Sequence, residues 1–486
     1  MSENHNGSEE VVLSFPHKDC VLVGGQTKEE QGTEERFIDP VLEPEEIRRM
    51  FQPKVLTNAI RFTPEGETPV NSIDDDDNIL VKGNNLIALS SMRPRYENKV
   101  KMSYWDVPYN TGSDSFQYND RFSRSTWLVF MKNRVEQVLP LLDPVDGVLL
   151  IQCSGHHYAY LKVLLDEIVG NYVMTFHVLV RHPDRTLTAD KEYNDVVEYI
   201  LVYSKSPSFK MPKIAVEKTM DDYEWVVEEL TGGREMEFDG RKAWVFEPGE
   251  YELKKTAPSE ENFKIMTIRG TIKEKVSSGR FYVKYLKPLE KDYPPKTLFK
   301  VENIGDDMYD FRYFYLPPIG NKNGAYLQGM PVSSKVTYKP YPNFLDFVQS
   351  YNTVNHEGMV EFRNGKKPED LMAYLMEIFT EEGDLVLDAF AGSGTTGAVA
   401  LKRNRRFILC EQMDYIRDIT CARLKAVIRG EEKDALQEQE NAGGGTFVYF
   451  EVKEAGQTYV NMDEIEAPEY AVSETEKAFS QSFYKN

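Results

Sequence analysis

The stretch DLVLDAFAGSGTTGAVALKRNRRFILCEQ, residues 384–412, constrains the fold more than any other part of the sequence. An apolar run typical of a buried strand leads through a glycine turn into a helix of small residues, and a second apolar run ends at Glu411. Small residues at such a turn let the backbone approach a ligand and let the helix pack closely on the sheet. Glu411 follows Asp388 by 23 positions, about where a doubly wound nucleotide-binding fold places an acid on ribose hydroxyls.

Three ligands compete for this turn: a nucleoside triphosphate, a dinucleotide and S-adenosylmethionine. A phosphate loop needs Gly-Lys-Ser or Gly-Lys-Thr after the glycines, and 394–396 is Gly-Thr-Thr, without a lysine. A dinucleotide site needs a third glycine, which Gly397 supplies, but the turn lies late in the chain. The turn alone is weak evidence, and a second motif, DVPY at 106–109, favours S-adenosylmethionine.

The DVPY motif suits methylation of an exocyclic amine on a nucleobase. The lone pair of such an amine is conjugated into the ring, and two acceptors that hold its N–H bonds bias the nitrogen towards tetrahedral geometry. Asp106 offers one acceptor, and the backbone carbonyl of residue 107 offers the other. Pro108 stiffens the loop, and Tyr109 provides a face on which an extruded base stacks. This reaction needs neither a metal nor a covalent nucleophile.

Strand-like and helix-like segments alternate along two parts of the chain, which predicts an α/β fold with a parallel sheet. Residues 206–340 differ, because they are rich in Lys, Pro and Tyr and contain short β-like runs separated by turn signals; we expect a separate β-rich insert. The predicted segments are an acidic N-terminal extension (1–78), a catalytic half-domain (79–205), the insert (206–340), a cofactor-binding half-domain (341–430) and an acidic C-terminal tail (431–486).

The net charge of −21 is concentrated at the two ends of the chain. Residues 1–78 carry −11 and residues 431–486 carry −9, so the middle is nearly neutral. Within it, the stretch 263–300 carries +7 with interleaved Phe and Tyr, which suits a phosphate backbone, although an ordinary solvated sheet face would look similar. Four cations of this stretch are the candidate DNA contacts, and we call them the basic set: Lys273, Lys275, Arg280 and Lys284.

Other features exclude several classes of protein. His156 and His157 are adjacent and poorly placed to chelate one ion together, so we predict no metal site. No apolar run approaches the ~20 residues of a membrane helix, and the acidic start is unlike a secretory signal. We expect a cytoplasmic protein without membrane contact. Its thiols should be reduced, because paired spacing and CxxC are both absent among Cys20, Cys153, Cys410 and Cys421.

Ten stretches together carry a resemblance to a known family. They are SFPHKDCVLVGGQTKEEQ (14–31), QPKVLTN (52–58), ILVKGNNLIAL (79–89), DVPYNTGSDSFQYNDRFSRSTWLVFMKNR (106–134), AYLKVLLDEI (159–168), EYILVYSK (198–205), GKKPEDLM (365–372), DLVLDAFAGSGTT (384–396), RRFILCEQMDY (405–415) and GGGTFVYFE (443–451). The chain resembles the amino-group DNA methyltransferases of the β arrangement, in which a target-recognition insert separates the catalytic motif from the cofactor turn. More closely, it is similar to the Mod subunits of type III restriction-modification systems.

The resemblance implies a Rossmann-like methyltransferase fold, S-adenosylmethionine as cofactor and double-stranded DNA as substrate. It also implies a homodimer, with a restriction nuclease or another methyltransferase-system subunit as a further partner. Family members whose motif begins with Asp methylate adenine N6, so Asp106 favours adenine over cytosine. Target-base binding and catalysis fall to Asp106, Pro108 and Tyr109. The cofactor is expected against Asp388, Phe390, Gly392 and Gly394, with Glu411 on its ribose and Asn84, Asn85 and Thr111 at its border.

Two residues depart from the family pattern: Val107 replaces a proline, and Trp105 replaces an aliphatic residue. A carbonyl survives any change of side chain, but Val restricts φ less than Pro and restores an N–H. We therefore expect a looser but competent site. Two alternatives stay open: a catalytically weak subunit that supplies DNA recognition to a partner methyltransferase, and an RNA or protein methyltransferase on the same scaffold.

Overall fold

A computed structural model describes most of the chain as two compact units. Unit 1 is Met1–Pro212 with Pro342–Asn486, and unit 2 is Lys213–Tyr341. Within the described ranges, no helix has the length and apolar character needed to cross a membrane. The described residues are 11–27, 35–110, 119, 121–184, 194–217, 219–332, 336–362, 365–432, 444–455 and 458–485.

The strands are named in chain order. They are β1 (Val21–Val23), β2 (Arg36–Ile38), β3 (Leu56–Thr63), β4 (Gly66–Pro69), β5 (Asn78–Lys82), β6 (Val100–Asp106), β7 (Val148–Cys153), β8 (Asn171–Leu179), β9 (Val197–Ser204), β10 (Lys213–Glu217), β11 (Trp225–Glu229), β12 (Arg234–Phe238), β13 (Arg241–Phe246), β14 (Tyr251–Lys255), β15 (Lys264–Thr267), β16 (Leu298–Glu302), β17 (Phe311–Tyr315), β18 (Ala325–Gln328), β19 (Val336–Pro340), β20 (Phe344–Asp346), β21 (Leu385–Asp388), β22 (Arg406–Glu411), β23 (Phe447–Val452), β24 (Glu454–Ala455) and β25 (Thr458–Tyr459).

The helices are named in the same way, and short 3-10 or π-helical turns link several of them. They are α1 (Pro44–Phe51), α2 (Asn85–Tyr96), α3 (Arg124–Val138), α4 (Gly155–Ile168), α5 (Ile272–Lys275), α6 (Ser277–Phe281), α7 (Val348–Thr353), α8 (Glu369–Phe379), α9 (Thr395–Lys402), α10 (Thr420–Ile428) and α11 (Glu474–Tyr484).

Unit 1 is built on a sheet of eleven strands in the order β20-β8-β9-β7-β6-β21-β22-β5-β23-β3-β4. The six strands from β7 to β23 in this order are parallel, while β9 and β3 join them antiparallel on either side. Every residue of β7 and β21 is buried, as expected for parallel strands covered on both faces. The predicted α/β fold is therefore confirmed, with antiparallel strands added at its flanks.

The chain order produces the β arrangement. Strand β6, which carries the DVPY motif at its end, comes early in the sequence, but it lies beside β21, which leads into the glycine turn. In the sequence, unit 2 lies between these two strands. Because parallel strands end at the same edge, both motifs meet there.

Described parts of the segments 1–78 and 431–486 belong to the sheet and core of unit 1, whereas an acidic extension and an acidic tail were predicted there. β3, from the segment 1–78, pairs with β23, from the segment 431–486, and β23 also pairs with β5. In α11, Phe479 and Phe483 are fully buried in the main core. The acidic surroundings hide these elements in the sequence. In α11 the fully buried apolar side chains are Phe479 and Phe483, with Tyr484 partly buried beside them, and the six residues of β23 do not alternate.

Unit 2 contains a six-stranded antiparallel sheet in the order β12-β13-β16-β17-β18-β15, with two further strand pairs, β10–β19 and β11–β14. The basic stretch 263–300 runs from β15 through α5 and α6 to β16. Its aromatic side chains were expected on a phosphate-binding face, but Phe281, Tyr282 and Phe299 are buried in the core of the unit. Of the basic set, Lys273 is half-buried and the other three side chains are exposed.

Candidate active site

Three acidic residues end neighbouring parallel strands at one edge of the unit 1 sheet. Asp106 ends β6, Asp388 ends β21 and Glu411 ends β22. The pairing of β21 with both β6 and β22 brings the two predicted motifs side by side. Ligands of open α/β sheets bind at this edge, where the order of strands reverses.

The Asp106 carboxylate is paired with a lysine that the sequence did not single out. Lys367 Nζ lies 2.9 Å from Asp106 Oδ1 and 3.6 Å from Glu198 Oε2. Burial raises the pKa of Asp106, while Lys367 opposes that rise by favouring the ionised form. Burial would lower the pKa of Lys367, but the two carboxylates outweigh it and raise that pKa. The cluster therefore contains two acids and one cation.

Glu198, on β9, connects this ion pair to the aromatic residue of the motif. Its Oε2 atom accepts hydrogen bonds from the Tyr109 hydroxyl at 2.7 Å and from Gln152 Nε2 at 2.6 Å. Gln152 in turn accepts a hydrogen bond from the Tyr104 hydroxyl at 2.6 Å. Lys367 Nζ lies 5.0 Å from the centre of the Tyr109 ring. Tyr109 is thus fixed by its hydroxyl next to Asp106.

The two departures from the family pattern both lie in the core. Trp105 is fully buried and meets the ring of Phe390 edge-on at 5.7 Å, and Val107 is 3% exposed in the same core. The Pro108 carbonyl accepts a hydrogen bond from Trp127 Nε1 at 2.9 Å. This bond restrains the loop by a means other than a second proline.

The predicted cofactor residues Asp388 and Phe390 lie beneath the glycine turn. Asp388 is buried, and its carboxylate accepts hydrogen bonds from the Phe390 backbone N–H at 2.9 Å and the Thr396 hydroxyl at 2.5 Å. Burial raises the pKa of Asp388 to about 7, against these hydrogen bonds. The Phe390 ring packs in the core. Both residues therefore support the glycine turn from its buried side.

The glycines of the turn hold conformations that other residues rarely adopt. Gly392 has φ +50° and Gly394 has φ +82°. A β-carbon at Gly392 would meet nothing nearer than 3.8 Å, so this side of the turn is open, whereas one at Gly397 would lie 2.6 Å from Leu409 Cδ1. The third glycine therefore allows α9 to pack against β22.

Glu411 is fully buried, and at least four donors among the described residues reach its carboxylate. Oε2 accepts from the Gly392 backbone N–H at 2.9 Å and the Tyr415 hydroxyl at 3.0 Å. Oε1 accepts from the backbone N–H groups of Gln412 at 2.8 Å and Met413 at 3.0 Å. A carboxylate offers about four lone-pair positions, so a ribose hydroxyl that binds Glu411 must replace one of these donors.

Asn84 and Asn85 take part in a hydrogen-bonded network at the start of α2. Asn84 caps the helix by accepting from the Leu86 N–H at 3.0 Å, and Asn85 Nδ2 donates to the Ala389 carbonyl at 2.9 Å. The buried Arg134 donates from Nε to Asn85 Oδ1 at 2.5 Å. Asn85 thus supports the strand end before the glycine turn. Thr111, the third predicted border residue, lies outside the described residues.

In the part of the chain that the structure describes, no group of three or more His, Cys, Asp or Glu side chains is arranged to hold a metal ion. His157, one of the two adjacent histidines, is buried and stacks on Trp127 at 4.5 Å. Its ring therefore packs in the core.

A DNA methylase family model matches residues 100–421. Across 93% of its length the chain is 31% identical to a Haemophilus influenzae protein described as a probable type III restriction-modification enzyme HindVI Mod subunit, and it covers 72% of that protein. The chain belongs to the Mod family of DNA methylases.

More distant Mod relatives include the type III EcoPI Mod subunit of Escherichia phage P1, 28% identical over 70% of this chain, and the StyLTI Mod subunit of Salmonella typhimurium, 26% identical over 68%. The chain spans 58% and 52% of these two proteins. A solved structure, PvuII DNA methyltransferase (cytosine-N4-specific), is 13% identical, with 71% of this chain and 86% of that chain covered and a TM-score of 0.37. A likeness this distant bears on neither base nor substrate.

Two residues of this Mod-family site were not predicted from the sequence. Lys367 lies in GKKPEDLM and Glu198 begins EYILVYSK, two of the stretches that carry the family resemblance. Lys367 is 261 residues from Asp106 in sequence, so no local spacing connects them. Within GKKPEDLM, no local signal separates Lys367 from its neighbour Lys366.

Proposed function

We propose that this chain is a site-specific DNA methyltransferase that transfers a methyl group from S-adenosylmethionine to adenine N6 of a flipped base. The observation that carries the proposal is the placement of Asp106 beside the glycine turn and Glu411 at one sheet edge. Membership of the Mod family supports a restriction-modification role. With DNA as its substrate, the enzyme is proposed to act in the cytoplasm.

The turn fits the proposed cofactor. Gly392 leaves its open side free of a β-carbon, and Glu411 presents a buried carboxylate beside it. In this proposal, Gly392 and Gly394 lie against the methionine part, and Glu411 holds the ribose after one of its donors is replaced. When bound, S-adenosylmethionine would supply an electrophilic methyl group.

The residues of the motif position the amine. Asp106 accepts one N–H of the target amine, and the Val107 carbonyl accepts the second. The Tyr109 ring, held by Glu198, offers the stacking face for the extruded base. Methylation places a positive charge on the amine until a proton leaves. Since Asp106, Glu198 and Lys367 sum to one negative charge, their cluster stabilises that cation.

Unit 2 is proposed as the target-recognition domain. The exposed cations of its basic set suit the phosphate backbone, and their contact with DNA would position the duplex for base readout. The relatives are described as Mod subunits of type III restriction-modification enzymes, and we propose the same role for this chain. We further propose that it acts as a homodimer with a nuclease subunit as partner.

Sequencing DNA for N6-methyladenine tests the proposal. Cells that express the wild-type chain should carry modified adenine in one sequence context, and cells that express Asp106→Ala should lack it. Modified cytosine in place of adenine would overturn the assignment of the base. Absence of any modified base, with intact DNA binding, would favour the weak subunit that recognises DNA for a partner methyltransferase.

A further inference from the structure

Arg423, on α10, reaches the glycine turn from the protein interior. Its side chain is fully buried, and NH1 donates to the Thr395 hydroxyl at 2.7 Å and the Ser393 hydroxyl at 3.2 Å. These two residues flank Gly394, whose φ is +82°. The Arg423 guanidinium therefore bonds to the residues on both sides of Gly394, which has a larger positive φ than Gly392.

The other end of the guanidinium is anchored by an acid. Arg423 NH2 donates to Glu369 Oε1 at 2.6 Å, and Lys402 Nζ donates to Glu369 Oε2 at 2.7 Å. Burial would raise the pKa of Glu369, but Arg423 and Lys402 outweigh it and lower that pKa. Glu369 thus stays ionised between two cations and holds Arg423 in one orientation.

Space for this guanidinium is provided by a glycine. A β-carbon at Gly358, which has φ +74°, would lie 2.5 Å from Arg423 Nε. The arrangement also reaches the catalytic cluster, because the Thr395 hydroxyl donates to the Lys367 carbonyl at 3.2 Å, and Lys367 pairs with Asp106. A continuous set of contacts joins Arg423, the turn and the acid that receives the target amine.

We propose that Arg423 is a positioning residue for the cofactor: it acts through Ser393 and Thr395 to hold the glycine turn in its binding conformation. This inference rests on the proposed function in naming S-adenosylmethionine as the ligand of the turn. Lysine cannot replace arginine here, because a single ammonium group lacks the planar fork that reaches two hydroxyls and a carboxylate at once.

The test compares Arg423→Lys with a matched control, Arg312→Lys. Arg312, in unit 2, is equally buried and is also paired with an acid, Asp307 at 2.5 Å, and a serine hydroxyl, Ser278 at 2.5 Å. Both variants should lose thermal stability. Only Arg423→Lys should bind S-adenosylmethionine roughly tenfold more weakly by calorimetry, as expected for loss of a charged hydrogen bond. Its KM for the cofactor should rise while kcat at saturation stays within about threefold.

An Arg423→Lys protein with wild-type affinity for the cofactor and a lowered Tm would overturn the inference, because the residue would then be structural only. If that variant does not fold, Thr395→Val replaces it, since the change removes the hydroxyl and leaves the Arg423–Glu369 pair intact. Weaker cofactor binding by Thr395→Val supports the inference, and unchanged binding overturns it. A wild-type chain that binds no S-adenosylmethionine would instead refute the proposed function, and this inference with it.

Discussion

Lys367 lies between two carboxylates, so its replacement by methionine tests the electrostatics of the site. At 2.9 Å from Asp106, its ammonium interacts by roughly 6 kcal/mol at an effective dielectric constant of about 20. The Asp106 side chain is 22% exposed, and solvent screening reduces this to a few kcal/mol. One pH unit corresponds to about 1.4 kcal/mol. The pKa of Asp106 should therefore be higher in Lys367→Met, and the acid limb of the rate profile should move upward by about one to three pH units.

The sign follows from the role of Asp106 as an acceptor, which is strong only in the ionised form. A higher pKa means that Asp106 becomes protonated sooner as the pH falls, so the variant loses activity at a pH where the wild type is still active. The assay is single-turnover transfer of labelled methyl to duplex DNA between about pH 5.5 and 9. Burial raises the pKa of Asp388 to about 7, and this residue is unchanged in every protein compared.

The matched control is Lys366→Met. Lys366 Nζ donates to the carbonyls of Glu357 at 2.7 Å and Val360 at 2.8 Å. This variant removes a lysine from the same segment without removing the partner of Asp106, so its acid limb should stay close to that of the wild type. Coincident acid limbs in wild type and Lys367→Met, or equal shifts in both variants, would show that Lys367 does not control the pKa of Asp106.

Three further predictions concern the residues identified from sequence. Asp106→Ala should lower single-turnover methyl transfer by about 10²–10³, and Val107→Pro should change it by less than about tenfold; indifference to Asp106→Ala would place the chemistry elsewhere. Gly392→Val and Glu411→Ala should each weaken S-adenosylmethionine binding in calorimetry, the latter by about 1.5–3 kcal/mol, and unchanged affinity in both would move the cofactor site. Alanine replacement of the basic set should reduce the slope of log K for DNA against log[salt] by roughly 0.9 per lost phosphate contact, while an unchanged slope would indicate an ordinary surface.

The parts of the site that sequence reasoning located are those with a local signal. The glycine turn needs small residues within a few positions, and Asp106 follows an apolar strand directly, so both could be assigned from short windows. No short stretch of sequence identifies Lys367 or Arg423 as a site residue. Each acts through partners more than 25 residues away in sequence, and their pairing exists only after β6, β21 and β22 align.

The fold was predicted best where strands are buried on both faces and worst at the chain ends. At the ends, the acidic composition suggested an extension and a tail. The acidic residues around β23 and α11 do not lie on the buried faces of these elements. In the insert, aromatic residues next to lysines suggested a nucleic-acid surface. Unit 2 needs its own core, however, and Phe281 and Tyr282 fill it while Lys284 remains exposed.

The departures Trp105 and Val107 have a common physical explanation. They flank Asp106, so along an extended chain both side chains point away from the carboxylate and towards the helix layer that contains Trp127. There, Trp105 contacts Phe390, which ties the end of β6 to the glycine turn. A larger residue at 105 and a branched one at 107 thus alter the packing of the buried face. They do not alter the two acceptors, which are the Asp106 carboxylate and the main-chain carbonyl of residue 107. The two acceptors depend on backbone placement, which the bond from Trp127 to Pro108 restrains, so a second proline is dispensable for the chemistry.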